Sequence, residues 1–124
     1  MIRIAVCDDE NVIVNQIEHI ISEVCKWESI PVNIDVFYSG RELKRQVTSG
    51  TKYDIIFLDI QMKGGDGITA AENIRKVDDN VLLIYVSGYD KYMMELFRLD
   101  VFGFIKKPID IDKDISGNLS ESLQ

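Results

Sequence analysis

The sequence predicts an α/β domain in which five parallel strands alternate with five helices. Three observations lead to this prediction: a length of 124 residues, an apolar content of 46%, and a regular alternation of apolar runs with amphipathic segments. A chain of this length can bury one complete core. Repeated β-then-α units place helices on both faces of a parallel sheet. We therefore expect a single domain over residues 1–124.

Each element is identified by the spacing of its apolar residues. The first helix is the clearest, because Ile13, Ile17, Ile20, Ile21 and Val24 form one apolar stripe at helical spacing. The predicted strands are 2–7, 32–37, 53–58, 81–86 and 101–106, and the predicted helices are about 10–26, 40–49, 66–77, 89–99 and 110–122.

The strands differ in a way that predicts their order. Residues 55–58 and 81–86 are continuous apolar runs, which are typical of central strands buried on both faces. Residues 32–36 alternate between apolar and polar, which is typical of an edge strand with one solvated face. An edge position for the second strand favours the flavodoxin-like order 2-1-3-4-5, in which ligands bind at the carboxyl ends of the first and third strands.

Polar residues stand where the predicted strands end. Asp8 and Asp9 follow the first strand, Asp59 the third, Ser87 the fourth and Lys107 the fifth. Two carboxylates ~4 Å apart repel by about 4 kcal/mol at an effective dielectric constant of roughly 20, so the three together favour a bound cation. Oxygen ligands alone suit Mg²⁺ or Mn²⁺ rather than zinc. With a lysine and a hydroxyl alongside, the pocket suits a phosphoryl group, and Asp59 suits the role of nucleophile.

The set Asp8-Asp9, Asp59, Ser87 and Lys107-Pro108 resembles the receiver domain of two-component response regulators over essentially the whole chain. The segment VSGYDKYMMELFRLDVFGFIKKPID further resembles receivers of regulators that carry a LytTR-type DNA-binding domain. The resemblance implies a (βα)5 flavodoxin-like fold and a phosphoacceptor domain that a sensor histidine kinase phosphorylates. Phosphorylation would switch the surface of helix 4, strand 5 and helix 5 to control transcription. It implies self-phosphorylation and slow self-dephosphorylation, not an enzyme.

The resemblance also implies roles for the metal and the phosphoacceptor. Asp59 is expected to accept the phosphoryl group. Asp9 and Asp59 are expected to bind Mg²⁺ directly, together with the backbone carbonyl of Gln61, while Asp8 supports the metal through water. Lys107 is expected to contact the phosphoryl oxygens.

Further residues are implied in switching and in the lifetime of the phosphoryl group. Ser87 takes the place of the hydroxyl switch residue and Phe104 that of the aromatic switch residue. Gln61 and Tyr89 flank the path of the attacking water, and a bulky Tyr89 is expected to shield the acyl phosphate. The sequence departs from the family at Lys63, where a proline is common, and at Phe104, which has no hydroxyl.

Each of these residues also has an ordinary structural interpretation. Asp8 or Asp9 can cap the first helix, because Asp is a favoured N-cap residue. Asp59 and Ser87 can be turn residues, and Phe104 can belong to the core. Only the joint pattern favours the functional interpretation over these.

Two other functions stay open at this point. One is a Mg²⁺-dependent aspartyl phosphatase-like enzyme, which would need an acid/base Asp where this chain has Gln61. The other is an interaction domain that is never phosphorylated, which would not need the acidic residues at the strand ends. A Mg²⁺-dependent reaction with a small phosphodonor separates these hypotheses.

Composition and short segments limit the partners and the compartment. A net charge of −7 disfavours direct nucleic-acid binding, so we expect DNA contact only through an effector domain outside this chain. No apolar run approaches the ~20 residues of a membrane span. Cys7 and Cys25 are expected to be reduced packing residues, which fits a cytoplasmic protein. A homodimer is expected on phosphorylation, through a surface that includes Met93, Met94, Phe97 and Phe102.

Overall fold

The computed structural model describes residues 1–60, 67–87, 103–107 and 109. Its elements in chain order are β1 (Ile2–Cys7), α1 (Asn11–Trp27), β2 (Val32–Phe37), α2 (Gly40–Thr48), β3 (Ile55–Asp59), α3 (Gly67–Val77), β4 (Leu82–Ser87) and β5 (Gly103–Lys106). The predicted helices 89–99 and 110–122 lie outside the described residues, as do the dimer-surface residues at 93, 94, 97 and 102.

The strands form one parallel sheet in the order β2-β1-β3-β4-β5, as the sequence predicted. The edge position of β2 is confirmed, although all six of its residues are half-buried rather than alternately exposed. Cys7, the last residue of β1, pairs with Leu58 of β3. Asp8 and Asp59 therefore follow at the same level of two neighbouring strands, which is the arrangement that a common pocket requires.

The third and fourth strands end one residue later than predicted. Asp59 is the last residue of β3 and pairs with Val86 of β4. Tyr53, which was predicted to open this strand, precedes it, and its hydroxyl donates to Asp35 Oδ2 on β2 at 2.6 Å. The phosphoacceptor candidate is therefore held by strand pairing rather than lying in the following loop.

A hydrophobic core lies on each face of the sheet. On one face, α1 buries Ile17, Ile20 and Ile21 against the central strands, as its apolar stripe predicted. The stripe is otherwise shifted by one position at each end: Val14 and Cys25 are buried, whereas Ile13 and Val24 are only partly buried. On the other face, α2 and α3 bury their own apolar residues, including Leu43 and Ile74. Full burial of each Leu or Ile side chain contributes about 1.5–3 kcal/mol.

The central strand β3 is buried on both faces, as its continuous apolar run predicted. Cys7 and Cys25 are buried in the core as reduced cysteines, in agreement with the packing role predicted for them. In the ranges that the structure describes, no helix combines the length and apolar character needed to cross a bilayer.

Candidate functional site

Three carboxylates meet at the carboxyl ends of β1 and β3. Asp8, Asp9 and Asp59 each offer one oxygen, and these oxygens lie within 4.8 Å of one another. Asp8 and Asp59 are buried, while Asp9 is half-buried. The sequence predicted this meeting from the strand order alone, and the structure confirms it.

Lys107, which directly follows β5, enters the same cluster. Its Nζ lies 3.1 Å from Asp8 Oδ2 and 3.5 Å from Asp59 Oδ2. It also lies 3.3 Å from Glu10 Oε2, on the solvent side. We call Asp8, Asp9, Asp59 and Lys107 the acidic pocket. Negative charge exceeds positive charge among these side chains, which is unfavourable for folding and favourable for binding a cation.

Burial and charge act on the pKa values of the pocket in opposite directions. Burial raises the pKa of Asp8, and the backbone N–H of Glu10 and the ammonium of Lys107 offset only part of that rise. Burial alone would lower the pKa of Lys107, but the carboxylates of Asp59 and Asp8 raise it above its ordinary value. The lysine therefore stays charged at neutral pH and balances part of the negative charge.

The donor set fits a hard divalent cation. All three clustered ligands are carboxylate oxygens, which suit Mg²⁺ or Mn²⁺. The two oxygens of Asp8 already have protein partners, because Oδ1 accepts from the Glu10 N–H at 2.9 Å and Oδ2 faces Lys107.

The interpretation of Asp8 or Asp9 as the cap of the first helix is wrong. Helix α1 is preceded by Glu10 as its N-cap residue, and no side-chain hydrogen bond caps it. The Asp8 carboxylate instead accepts the N–H of Glu10, one residue before the helix. Asp8 thus shapes the turn that leads into α1 while its other oxygen faces the pocket.

Sequence reasoning missed Gly67, the first residue of α3. A Cβ at this position would lie 1.9 Å from the carbonyl oxygen of Asp59. The Gly67 N–H also donates to the carbonyl of Ile60 at 2.9 Å. Only glycine allows this close approach of two backbones, so Gly67 fixes the start of α3 against the end of β3. The glycines that follow Asp59 in the sequence were the available signal.

The remaining predicted residues are less completely described. Ser87 ends β4 and pairs with Lys106, and Phe104 pairs with Tyr85 in β5, as backbone positions in the sheet. Gln61 and Tyr89 lie outside the described residues, so their predicted effects on the metal and on phosphoryl lifetime stay predictions. The structure thus brings together Asp8, Asp9, Asp59 and Lys107. It also adds Glu10, to which the sequence analysis gave no role.

The family of the chain follows from comparison with known proteins. A family profile described as "Response regulator receiver domain" matches residues 4–116. The chain belongs to this family. It is a receiver domain of the two-component type with a phosphoacceptor signalling role, and the family is not a class of catalytic enzyme.

Curated relatives agree with the predicted subfamily. The chain is 26% identical over 113 residues to the sensory transduction protein LytT of Bacillus anthracis, covering 91% of this chain and 44% of that protein. It is 27% identical over 108 residues to LytR of Staphylococcus haemolyticus, covering 87% of this chain and 40% of that protein. The receiver thus spans less than half the length of these relatives. Their Lyt names are consistent with the predicted LytTR-type resemblance.

Solved structures share the fold. The response regulatory domain of mrkE from Klebsiella pneumoniae superposes with a TM-score of 0.85 at 22% identity, covering 98% of this chain and 95% of that one. The response regulator TrrA from Thermotoga maritima, solved in complex with Mg²⁺-BeF, has a TM-score of 0.75 at 28% identity. That match covers 98% of this chain and 99% of TrrA. The flavodoxin-like receiver fold is therefore confirmed.

Proposed function

We propose that Asp59 accepts a phosphoryl group from the phosphohistidine of a sensor histidine kinase. The observation that carries this proposal is the position of Lys107 Nζ, 3.5 Å from Asp59 Oδ2 in a buried pocket with two further carboxylates. A cation at this distance can neutralise the oxygens of a group transferred to Asp59. Membership of the receiver family supports the same residue as the acceptor.

In the transfer step, an Asp59 carboxylate oxygen attacks phosphorus and forms a P–O bond. The P–N bond to the kinase histidine breaks, and the histidine nitrogen leaves with the electron pair. Pairing of Asp59 with Val86 fixes the attacking group on a rigid strand, which favours in-line geometry. Lys107 contacts the oxygens that carry charge during transfer.

Asp9, Asp59 and the backbone carbonyl of Gln61 would hold Mg²⁺ directly, with Asp8 supporting it through water. When bound, the metal supplies neutralisation of the negative charge on the transferred group. The Mg²⁺-BeF complex of TrrA, a relative with 28% identity, supports this metal. Mn²⁺ has the same ligand preference and is the alternative.

The new phosphoryl group adds nearly two negative charges and three acceptor oxygens, which can reorganise the groups around it. We propose that the Ser87 hydroxyl moves to bond one oxygen and that Phe104 turns into the vacated space. Their backbone positions in β4 and β5 are compatible with this sequence of events. The change would reach the surface of helix 4, β5 and helix 5 and shift the domain toward a homodimer.

The output is proposed to be transcription. An effector domain outside this chain would make the DNA contact, as the shorter span of the chain relative to the LytT and LytR proteins suggests. A cytoplasmic kinase domain and target DNA would place the protein in the cytoplasm. Gln61 and Tyr89 would set how long the signal persists.

The test is phosphorylation by acetyl phosphate with Mg²⁺, followed by intact-mass spectrometry. We expect one added phosphoryl group that is labile to hydroxylamine, and no addition in Asp59→Asn. Asp79→Asn is the matched control. Asp79 is an exposed carboxylate that precedes the amino end of β4, whereas the pocket lies at the carboxyl ends of the strands. Equal labelling of wild type and Asp59→Asn would refute the assignment.

A further inference from the structure

Glu10 contacts the pocket lysine from outside the pocket. Its Oε2 lies 3.3 Å from Lys107 Nζ, and its side chain is 59% exposed, whereas Asp8 and Asp59 are buried. The resemblance to receiver domains assigned no role to this glutamate. Because Glu10 is exposed and contacts Lys107, a phosphodonor that reaches this lysine from solvent meets the Glu10 carboxylate.

The local backbone holds Glu10 in this position. The Asp8 carboxylate accepts the Glu10 N–H at 2.9 Å, which fixes the turn between β1 and α1. Lys107 then contacts both residues, Asp8 through Oδ2 and Glu10 through Oε2. The three side chains link the end of β1 to the end of β5, although 97 positions separate Glu10 from Lys107.

Glu10 is not needed to anchor the lysine. Two buried carboxylates, Asp8 and Asp59, already lie within 3.5 Å of the ammonium. Contacts made in a buried environment are stronger than a contact to an exposed carboxylate, which solvent screens. Removing Glu10 therefore leaves Lys107 in place and frees its solvent-facing side.

We propose that Glu10 competes with the incoming phosphoryl group for Lys107 and so restrains phosphorylation of Asp59 by anionic donors. This inference rests on the proposed function of Asp59. The phosphoryl oxygens and the Glu10 carboxylate require the same ammonium and repel each other. With acetyl phosphate, the Asp59 oxygen forms the new P–O bond, the bond from phosphorus to the acyl oxygen breaks, and acetate leaves with the electron pair.

The size of the effect follows from charge and distance. Removing one negative charge a few ångströms from a dianionic phosphoryl group is expected to speed the reaction by about three- to tenfold at low ionic strength. The gain should fall as salt is added, because the carboxylate is exposed and its field is screened. A purely structural role of Glu10 would give no such dependence on salt or on donor charge.

The experiment compares wild type, Glu10→Gln and Glu23→Gln at constant free Mg²⁺. Glu23 is an exposed glutamate on α1, the helix that follows Glu10, so its substitution controls for net charge. Initial rates are measured with acetyl phosphate, a dianion, and with phosphoramidate, which carries less net negative charge, at low and high ionic strength. We expect Glu10→Gln to be faster, most of all with acetyl phosphate at low salt, and Glu23→Gln to match wild type.

Binding of beryllium fluoride at equilibrium tests the same competition without a reaction rate. The concentration of beryllium fluoride at half-maximal thermal stabilisation, with Mg²⁺ present, should be lower for Glu10→Gln than for wild type. Identical rates and midpoints for the two proteins at both salt concentrations would overturn the competition while leaving Asp59 as the acceptor. A slower Glu10→Gln would overturn it too, since Glu10 would then anchor Lys107. Labelling independent of Asp59 would refute the proposed function itself.

Discussion

Two charged clusters of this domain are built in opposite ways. Near the amino ends of β1 and β3, Arg3 lies 3.5 Å from Asp35 Oδ2 and 5.5 Å from the centre of the Tyr53 ring. The Tyr53 hydroxyl donates to Asp35, and the backbone N–H of Arg3 donates to Asp54 Oδ2 at 2.8 Å. We call Arg3, Asp35, Tyr53 and Asp54 the Arg3 cluster.

The Arg3 cluster gives each carboxylate a donor and leaves both ends of the ion pair partly exposed. The acidic pocket instead buries Asp8 and Asp59, and both contact the same lysine, Lys107. Buried charges of one sign are costly unless a ligand compensates them. We therefore expect the Arg3 cluster to contribute to stability and the acidic pocket to reduce it when no cation is bound.

The largest expected effect is the loss of the pocket cation. Lys107→Met should lower the free energy of unfolding by about 3 kcal/mol without divalent metal, because it leaves buried carboxylates uncompensated. Arg3→Met, the matched change in the other cluster, should cost about 1 kcal/mol, since that pair is exposed. Urea denaturation of both variants measures the difference. Equal losses would contradict the contrast between the clusters.

Removing one pocket carboxylate should have the opposite sign. Asp8→Asn should raise the free energy of unfolding by about 1–2 kcal/mol at neutral pH without metal, because it removes a buried charge and keeps an acceptor for the Glu10 N–H. Asp35→Asn should be destabilising. The comparison fails if the two substitutions change stability in the same direction.

The stabilisation expected for Asp8→Asn should depend on pH. The pKa of Asp8 is raised in the folded domain above its ordinary value of 3.8, so the folded state binds this proton more tightly than the unfolded chain. Ionised Asp8 therefore lowers the free energy of unfolding at pH values above the folded pKa. This loss of stability is recovered as pH falls through the folded pKa toward the ordinary value. The stability difference between Asp8→Asn and wild type should narrow on acidification. A difference that widens would contradict the raised pKa.

The smallest expected effect tests a single bond of the Arg3 cluster. Tyr53→Phe removes the hydroxyl that donates to Asp35 at 2.6 Å but keeps the ring packed against Phe37. The loss should be about 1 kcal/mol, because Asp35 retains Arg3 and is partly exposed to water. Thermal melting measures it, with Tyr38→Phe, an exposed tyrosine, as the control. A loss no larger than that of the control would show that the bond contributes nothing.

Sequence patterns predicted the order of the strands and the three aspartates at the centre of the site. The alternating run 32–36 and the continuous runs 55–58 and 81–86 placed an edge strand and two central strands correctly. The predicted strand order then placed Asp8, Asp9 and Asp59 together, and the structure confirms this cluster. These features are predictable because a strand buried on one face alternates between apolar and polar residues, whereas a strand buried on both faces is continuously apolar.

Only the tertiary structure decided which side chains of the pocket contact one another. The sequence could not choose between capping and pocket roles for Asp8. In the fold, Asp8 does not cap α1, and its two oxygens contact the Glu10 N–H and Lys107. Nor could it give Glu10 a role, because its partner Lys107 lies on a distant strand end. Residue patterns record which side chains face the core, since burial acts on each position separately. Contacts between charged groups depend on distances of a few ångströms across separate strands, and only the folded chain sets those distances.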